Sequence, residues 1–252
     1  EFDAVILKYD INGNLIWQRT WGGDKIETAY SVAASQGLVW VTGKTRSFGD
    51  GGEDVFVLQL NSDGLFNWEK VWQSGIGRSI AVDSAGNAYV AADRNLYLKY
   101  NISGFVLYSL DWGSGWEGNG IAIDESGPDT FVYLTGTEDM HNIRLVQLTD
   151  TGALVSARRW TSYSMLYYGT GKALVTVSGG QVYLCGVGSP TLSQTQIVDD
   201  QLRNATGFDL SVNGSVTEPA GIEGAPSGTE NMVTGTQDNG GMLIMSLDAA
   251  KM

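Results

Sequence analysis

Apolar and polar residues alternate along most of this chain, and the alternation comes in blocks. Around a recurrent glycine the segments LKYDINGNLIW (7–17), LQLNSDGLFNW (58–68), LKYNISGFVLY (98–108) and VQLTDTGALVS (146–156) match in kind and position. DLSVNGSV (209–216) is a weaker copy, and LIMSLDAAK (243–251) begins a sixth. The anchors Gly13, Gly64, Gly104, Gly152, Gly214 and Lys251 lie 51, 40, 48, 62 and 37 residues apart. A mean of about 48 marks a supersecondary repeat.

Each block has the same internal order. After the turn glycine comes an alternating strand with aromatic residues four and eight positions on, Trp17 and Trp21, Trp68 and Trp72, Tyr108 and Trp112, while the fourth block has Ser156 and then Trp160. An even spacing puts both on one strand face. Two further strands follow as SVAAS/GLVWVTG (31–43), SIAVD/NAYVAAD (79–93), GIAID/FVYLTG (120–136) and ALVTVS/QVYLCG (173–186). Their turns at 35–37, 83–87, 124–129 and 178–180 are built from Gly, Asn, Asp and Ser, which accept positive φ or bond the turn with a side chain. The next block's strand completes the set, as in DVFVLQL (54–60), NLYLKY (95–100) and NIRLVQL (142–148). Four strands per block result, and no window sustains a 3.6-residue apolar period over helical length.

A four-stranded sheet with large apolar residues on both faces cannot stand alone, because one face would meet water. Radial stacking into a β-propeller covers both faces, and the period suits blades of that kind. The expectation is an all-β fold with 1–252 as a single propeller of four-stranded antiparallel blades. Five inner-strand candidates, the fifth at 222–228, and six glycine-turn strands favour six blades closed by the chain ends. Five is the main rival, and seven requires further sequence. The opening inside a strand-like segment without a methionine reads as a processed or partial chain.

Residues 3–45, with DAVILKYD, NGNLIW, TWGG, YSVA and VWVTGKT, resemble the SBBP-type β-propeller repeat of bacterial and archaeal surface proteins. The next two blocks share the pattern clearly, the fourth in part, and residues 187–252 depart from it. The resemblance implies a propeller in an exported or cell-surface protein, outer tryptophans that pack between blades, and no catalytic residues to carry over.

Strand parity separates two ends of such a ring. The first-to-second and third-to-fourth turns share one end and are stereotyped. The other end carries the variable connections 45–53, 92–95, 137–142 and 186–206, with the links 22–28, 74–78, 113–119 and 162–172. Loops that differ on a uniform scaffold are the usual place for binding. Candidate ligand-binding residues at this mouth are Arg46, Asp50, Glu53, Arg78, Asp93, Arg94, Trp116, Glu117, Tyr167, Tyr168 and Lys172, with His141 beside them. Trp116, in the glycine-rich link GSGWEGN, is the aromatic best placed as a ligand platform.

Composition narrows the chemistry. Fifteen Lys and Arg against 28 Asp and Glu give a net charge of −13, which sets the surface against nucleic acid and anionic membrane. No apolar run reaches the roughly 18 residues of a membrane-spanning helix, so no membrane insertion is expected. One cysteine, Cys185, and one histidine, His141, build neither a disulfide, nor a Cys/His zinc cage, nor a nucleophile relay. The glycine clusters at 49–52 and 239–241 lack the lysine of a phosphate loop and the acidic ladder of a calcium loop. No cofactor and no metal are expected.

The leading expectation is a non-enzymatic extracellular or cell-surface scaffold that binds a protein or a carbohydrate through its variable-loop face. One alternative is a carbohydrate-active propeller enzyme using two of Asp24, Glu27, Asp50, Glu53, Asp93 and Glu117, one with a raised pKa. Another is a structural subunit of a surface filament or layer. The oligomeric state is left open.

Overall fold

The structure, a computed structural model, describes residues 2–72, 74–94, 96–111, 116–138, 142–162, 170–177, 181–187, 192–197, 208–210, 231–235 and 242–248. The described elements are all β-strands, every ladder between them is antiparallel, and none of them is a helix. The chain divides into two compact units, residues 1–111 and 112–252.

The first unit opens with a two-stranded sheet, β1 (Ala4–Tyr9) and β2 (Leu15–Trp21). Two four-stranded meanders follow. One is β3 (Glu27–Ser35), β4 (Leu38–Thr45), β5 (Asp54–Asn61) and β6 (Phe66–Trp72); the other is β7 (Gly77–Val82), β8 (Ala88–Ala92), β9 (Leu96–Tyr100) and β10 (Val106–Asp111). The four-strand grammar of the sequence is thus the strand order of these sheets.

Both faces of the central sheet are covered. Phe56, Leu58 and Leu60 of β5 pack with Ala4 and Ile6 of β1 and with Trp17 and Trp21 of β2. Val55 and Val57, pointing the other way, pack with Val90, Leu98 and Tyr100 of the next sheet. Burial on both faces is why β5 reads as a near-continuous apolar run rather than a half-polar strand. Each large side chain so enclosed contributes about 1.5–3 kcal/mol. The paired aromatics keep to one face as their spacing predicts: Trp17 and Trp21 join the first cluster, Trp68 and Trp72 the second.

The glycine turns are alike because one acceptor organises each. Asp10 Oδ1 accepts the N–H groups of Asn12 and Asn14, Asn61 Oδ1 those of Asp63 and Leu65, and Asn101 Oδ1 those of Ser103 and Phe105. The Asn14 side chain and the backbone N–H groups hold the exposed Asp10 carboxyl below its ordinary range. Three positions on, Gly13, Gly64 and Gly104 take φ of 83°, 78° and 81°, and the register slips by one residue beside each turn. In the first two blocks the outer-strand indole then reaches the following block's turn. Lys8 Nζ and Trp17 Nε1 both donate to the Ser62 carbonyl, and Gln59 Nε2 and Trp68 Nε1 both donate to that of Ile102.

A graded result follows for alanine at these glycines. A Cβ at Gly13 meets nothing within 4 Å, whereas at Gly64 and Gly104 it comes within 2.9 and 2.8 Å of the Trp17 and Trp68 rings. Gly13→Ala is expected to lose only about 1–2 kcal/mol for its left-handed backbone. Gly64→Ala and Gly104→Ala lose more, because a packed indole must move, and urea unfolding of the three variants reads the difference.

The second unit contains β11 (Trp116–Asp124), β12 (Phe131–Glu138), β13 (Asn142–Thr149), β14 (Leu154–Ser162), β15 (Thr170–Val177), β16 (Gln181–Val187), β17 (Leu192–Ile197), β18 (Phe208–Leu210), β19 (Asn231–Gly235) and β20 (Met242–Asp248). β11 to β14 form a meander that β17 and β18 extend along the outer edge of β14. β15, β16, β20 and β19 make the last four-stranded sheet in that order, and β11 and β12 pack against β15.

The order of strands here differs from the expectation in two places. The excursion at 186–206 contains β17. The position beside β16, expected for 209–216, is taken by β20, whose MLIMSLD is far more apolar than LSQTQI in β17 or FDL in β18. An inner position selects the apolar strand, and the polar strands fall to the edge. The fifth inner strand expected at 222–228 lies outside the described residues.

Candidate functional site

At the non-turn end of the first unit's sheets, two buried carboxylates organise irregular backbone. Glu27, at the start of β3, is 2% exposed. Its Oε1 accepts from Thr45 Oγ1 at 2.8 Å and from the N–H groups of Arg46 and Ser47, while Oε2 accepts from the Gly23 N–H. Burial pushes the Glu27 pKa up, but these hydrogen bonds outweigh it and hold the group below the ordinary glutamate range. Asp54, fully buried at the start of β5, accepts from the Ser74 N–H at 2.6 Å and the Asp50 N–H at 3.0 Å. A Cβ at Gly49 would collide with the Asp54 carboxylate, so the 45–53 loop needs its glycine there. Phe48 packs on Trp21 with ring centroids 5.1 Å apart. The variable end is therefore a set of loops pinned from beneath.

Above these anchors stand the ion pairs. Glu53 Oε1 accepts from Lys44 Nζ and from Arg46 Nη2, each at 2.7 Å. The Lys44 and Arg46 hydrogen bonds hold the Glu53 carboxyl below its ordinary range. Arg78 makes a two-pronged contact with Asp93, Nε to Oδ1 at 2.7 Å and Nη2 to Oδ2 at 2.9 Å, and its guanidinium carbon lies 5.6 Å from the centre of the Tyr30 ring. Asp50 is exposed and turns back to accept from the Gly52 N–H, and Arg94 is exposed with φ of 59°.

Six of the eleven candidates, Arg46, Asp50, Glu53, Arg78, Asp93 and Arg94, thus share one end of the first unit. The structure pairs four of them as Arg46 with Glu53 and Arg78 with Asp93. The remaining five belong to the second unit. Trp116 and Glu117 are not in a link, as expected, but open β11, paired with Glu138 and Thr137 of β12. The glycines that suggest a loop continue as Gly118 and Gly120 inside the strand, on either side of a register slip, and the ladder runs through them to Trp116. Glu117 is exposed. Lys172 likewise stands within β15 and Arg78 within β7 rather than in links. Tyr167, Tyr168 and His141 lie outside the described residues.

Four sheets share a feature that the strand patterning did not predict. The register of the first strand slips at one equivalent place in each, leaving Tyr30 in β3, Arg78 in β7, Asn119 in β11 and Lys172 in β15 as extra, bulged residues. A bulge re-aims the side chain it carries and is common at edges and beside sites. The backbone around it is crowded: a Cβ at Gly43 would strike the Thr28 carbonyl, and one at Gly77 would strike Thr42 Oγ1. The signal was in the sequence as a small residue, any residue, a small residue and an aliphatic. It reads Ala29-Tyr-Ser-Val32, Gly77-Arg-Ser-Ile80, Gly118-Asn-Gly-Ile121 and Gly171-Lys-Ala-Leu174.

This end offers ion pairs, hydroxyls and an aromatic ring. Both mouth carboxylates with a resolved shift, Glu27 and Glu53, are held in the ionised form, the opposite of what a general acid needs. Among the described residues, no three of His, Cys, Asp and Glu are grouped so as to hold a metal ion.

No protein-family model matches the chain, and no curated protein does. The resemblance to the SBBP-type repeat therefore stands on the residues quoted for it alone. Among solved structures, the chain is similar to a protein of unknown function from Bacteroides caccae. The identity is 17% over 79% of this chain and 86% of that one, with a TM-score of 0.38.

Proposed function

We propose that the sheets are blades of a six-bladed β-propeller. In this reading the propeller is a non-enzymatic, extracellular or cell-surface scaffold that binds a protein or a glycan at its variable-loop end. The carrying observation is the contrast between the two ends of the first unit. One end repeats the same glycine turn, while the other displays loops of different length fastened by Glu27 and Asp54. A rigid frame under unlike loops presents side chains in a fixed array at little entropic cost on binding.

The ring reading draws support from β1. Phe56, Leu58 and Leu60 of β5, and Leu98 and Tyr100 of β9, are covered by the preceding sheet. The equivalent Val5, Leu7 and Tyr9 of β1 are 54%, 48% and 53% exposed. In this reading a closing blade would cover them.

The test is binding to arrays of glycans and exported proteins, followed by two variants. Arg46→Ala, at the loop end, is expected to weaken the bound ligand about tenfold, near 1.4 kcal/mol. Phe105→Ala, at the turn end, is expected to leave it unchanged. The opposite pattern would move the binding surface to the turn end and remove the reading.

A further inference from the structure

Two Asn-Gly pairs fall among the described residues, Asn12-Gly13 and Asn119-Gly120, and the fold treats them oppositely. Asparagine is a thermolabile residue. A following glycine hinders least the attack of its own backbone nitrogen on the side-chain amide, because it has no Cβ and turns freely. Asn119 is restrained. Its Nδ2 donates to the Glu117 carbonyl and to Thr137 Oγ1, each at 3.3 Å, and Gly120 is buried and paired with Thr135 in the ladder. Asn12 is exposed at the tip of the β1–β2 turn, and among the described residues its side chain has no hydrogen bond.

This turn also lacks the cover that its counterparts have. In the 61–65 turn, Arg19 donates from Nε to the Gly64 carbonyl at 2.7 Å and from Nη2 to the Asp63 carbonyl at 3.0 Å, with the Trp17 ring over Gly64. Trp68 lies over Gly104 in the same way. Ile11 is fully exposed where its counterpart Ile102 is 41% exposed, and a Cβ at Gly13 meets no atom within 4 Å. The bonds that hold the tip, including that of the Gly13 N–H to the Asp10 carbonyl at 3.1 Å, all lie within residues 10–14. The tip therefore opens locally, without disturbing a second element.

We propose that Asn12 is a site of spontaneous deamidation in the folded protein, yielding aspartate and isoaspartate at residue 12. When the turn opens, the Gly13 nitrogen gives its proton to solvent base and attacks the Asn12 Cγ. The side-chain amino group takes up a proton and leaves as ammonia, and a five-membered succinimide remains. Water then opens the ring. Breaking the bond from nitrogen to Cγ gives aspartate, and breaking the bond to the main-chain carbonyl carbon leaves the backbone running through Cβ and Cγ as isoaspartate. Water is the only co-reactant, and nothing is oxidised or reduced. Either product sets a second carboxylate near Asp10. Isoaspartate also adds a methylene to a tight turn whose register already shifts between Lys8 and Tyr9, so the β1–β2 hairpin loosens.

Ageing the full chain in mildly alkaline buffer, with tryptic peptides followed by mass spectrometry, tests this directly. Asn12 and Asn14 share the peptide 9–19, and fragmentation separates them. Asn12 is expected to convert at least tenfold faster than Asn14, whose Nδ2 is bonded to Asp10 Oδ2, and at least tenfold faster than Asn119. The aged chain should accept methyl groups from a protein isoaspartyl methyltransferase. In denaturing urea Asn12 and Asn119 should convert at like rates, since both precede glycine. Gly13→Ala, whose added Cβ has room, should slow conversion at Asn12 at least tenfold, with thermal unfolding to verify the fold. Hydrogen exchange of the aged chain should be faster in β1 and β2 and unchanged in β5. Equal conversion of Asn12 and Asn119 in the folded chain, or a difference between them that persists in urea, overturns the inference. Unchanged exchange in β1 and β2 after conversion overturns the loosening of the hairpin.

Discussion

Phe56→Ala is expected to lower unfolding stability by about 3–5 kcal/mol, the range for deleting a buried aromatic ring. Phe56 is fully buried in the middle of β5, with its ring centroid 4.6 Å from that of Trp21. It also lies over Gly43, where an added Cβ would come within 2.7 Å of the ring. That glycine faces the β3 bulge, so the backbone beneath Phe56 has little freedom to close the cavity. The loss is therefore placed toward the upper part of the range. Leu65→Ala, an equally apolar truncation at a side chain 60% exposed in the turn, should stay within about 0.5 kcal/mol. Urea titration checks both, and an unchanged slope shows that the native state has not loosened. A loss for Phe56→Ala as small as that for Leu65→Ala would mean that the first face of β5 is not packed as described.

Glu27→Ala should have the second large effect. It removes the acceptor of one hydroxyl and three backbone N–H groups. Hydrogen bonds to a charged group contribute about 1.5–3 kcal/mol each, less than additively, so a loss of about 3 kcal/mol or more is expected. The pH dependence has a definite sign. The folded pKa lies below the ordinary value of 4.5, so the folded state binds the proton less readily than the unfolded chain. Its contribution is present in full above the unfolded value and is lost as pH falls through the folded one. Stability measured from pH 6 downward should decline below about pH 4.5 in the parent chain. Glu27→Gln should start lower and lack this part of the decline. Parallel curves for the two chains would show that the carboxylate charge has no role in fastening the loops.

The parts of this fold that are legible in the sequence are those in which one residue type answers one local need. The acceptor at Asp10, Asn61 and Asn101 and the glycine three positions on announce the same turn each time, because that backbone needs positive φ and a side-chain oxygen. The long apolar run of β5 announces burial on both sides. The candidate site is less legible, since what defines it is juxtaposition. Glu27 reads as one of six candidate mouth acids and Asp54 as the first residue of a strand until the fold encloses both as acceptors for loop N–H groups. Glu53 and Asp93 read as free mouth carboxylates until the fold sets them against Lys44, Arg46 and Arg78. Trp116 reads as part of a link because glycines flank it on both sides, although the strand begins with it. The bulges escaped for a physical reason as well. Period-two patterning assumes an unbroken ladder, and a single extra residue between two small ones resembles a strand boundary.

Hydrogen exchange along β1 tests the central claim, that like sheets close on one another so that every third strand gains a neighbour on each edge and a sheet over each face. If the ring closes over the open side of β1, the amides of Ala4–Tyr9 that point away from β2 should be protected to the same extent as those of β5 and β9. Exchange of those amides at the rate of an unpaired edge strand, alongside full protection of β5, would contradict the closed propeller and with it the single mouth on which the binding reading depends.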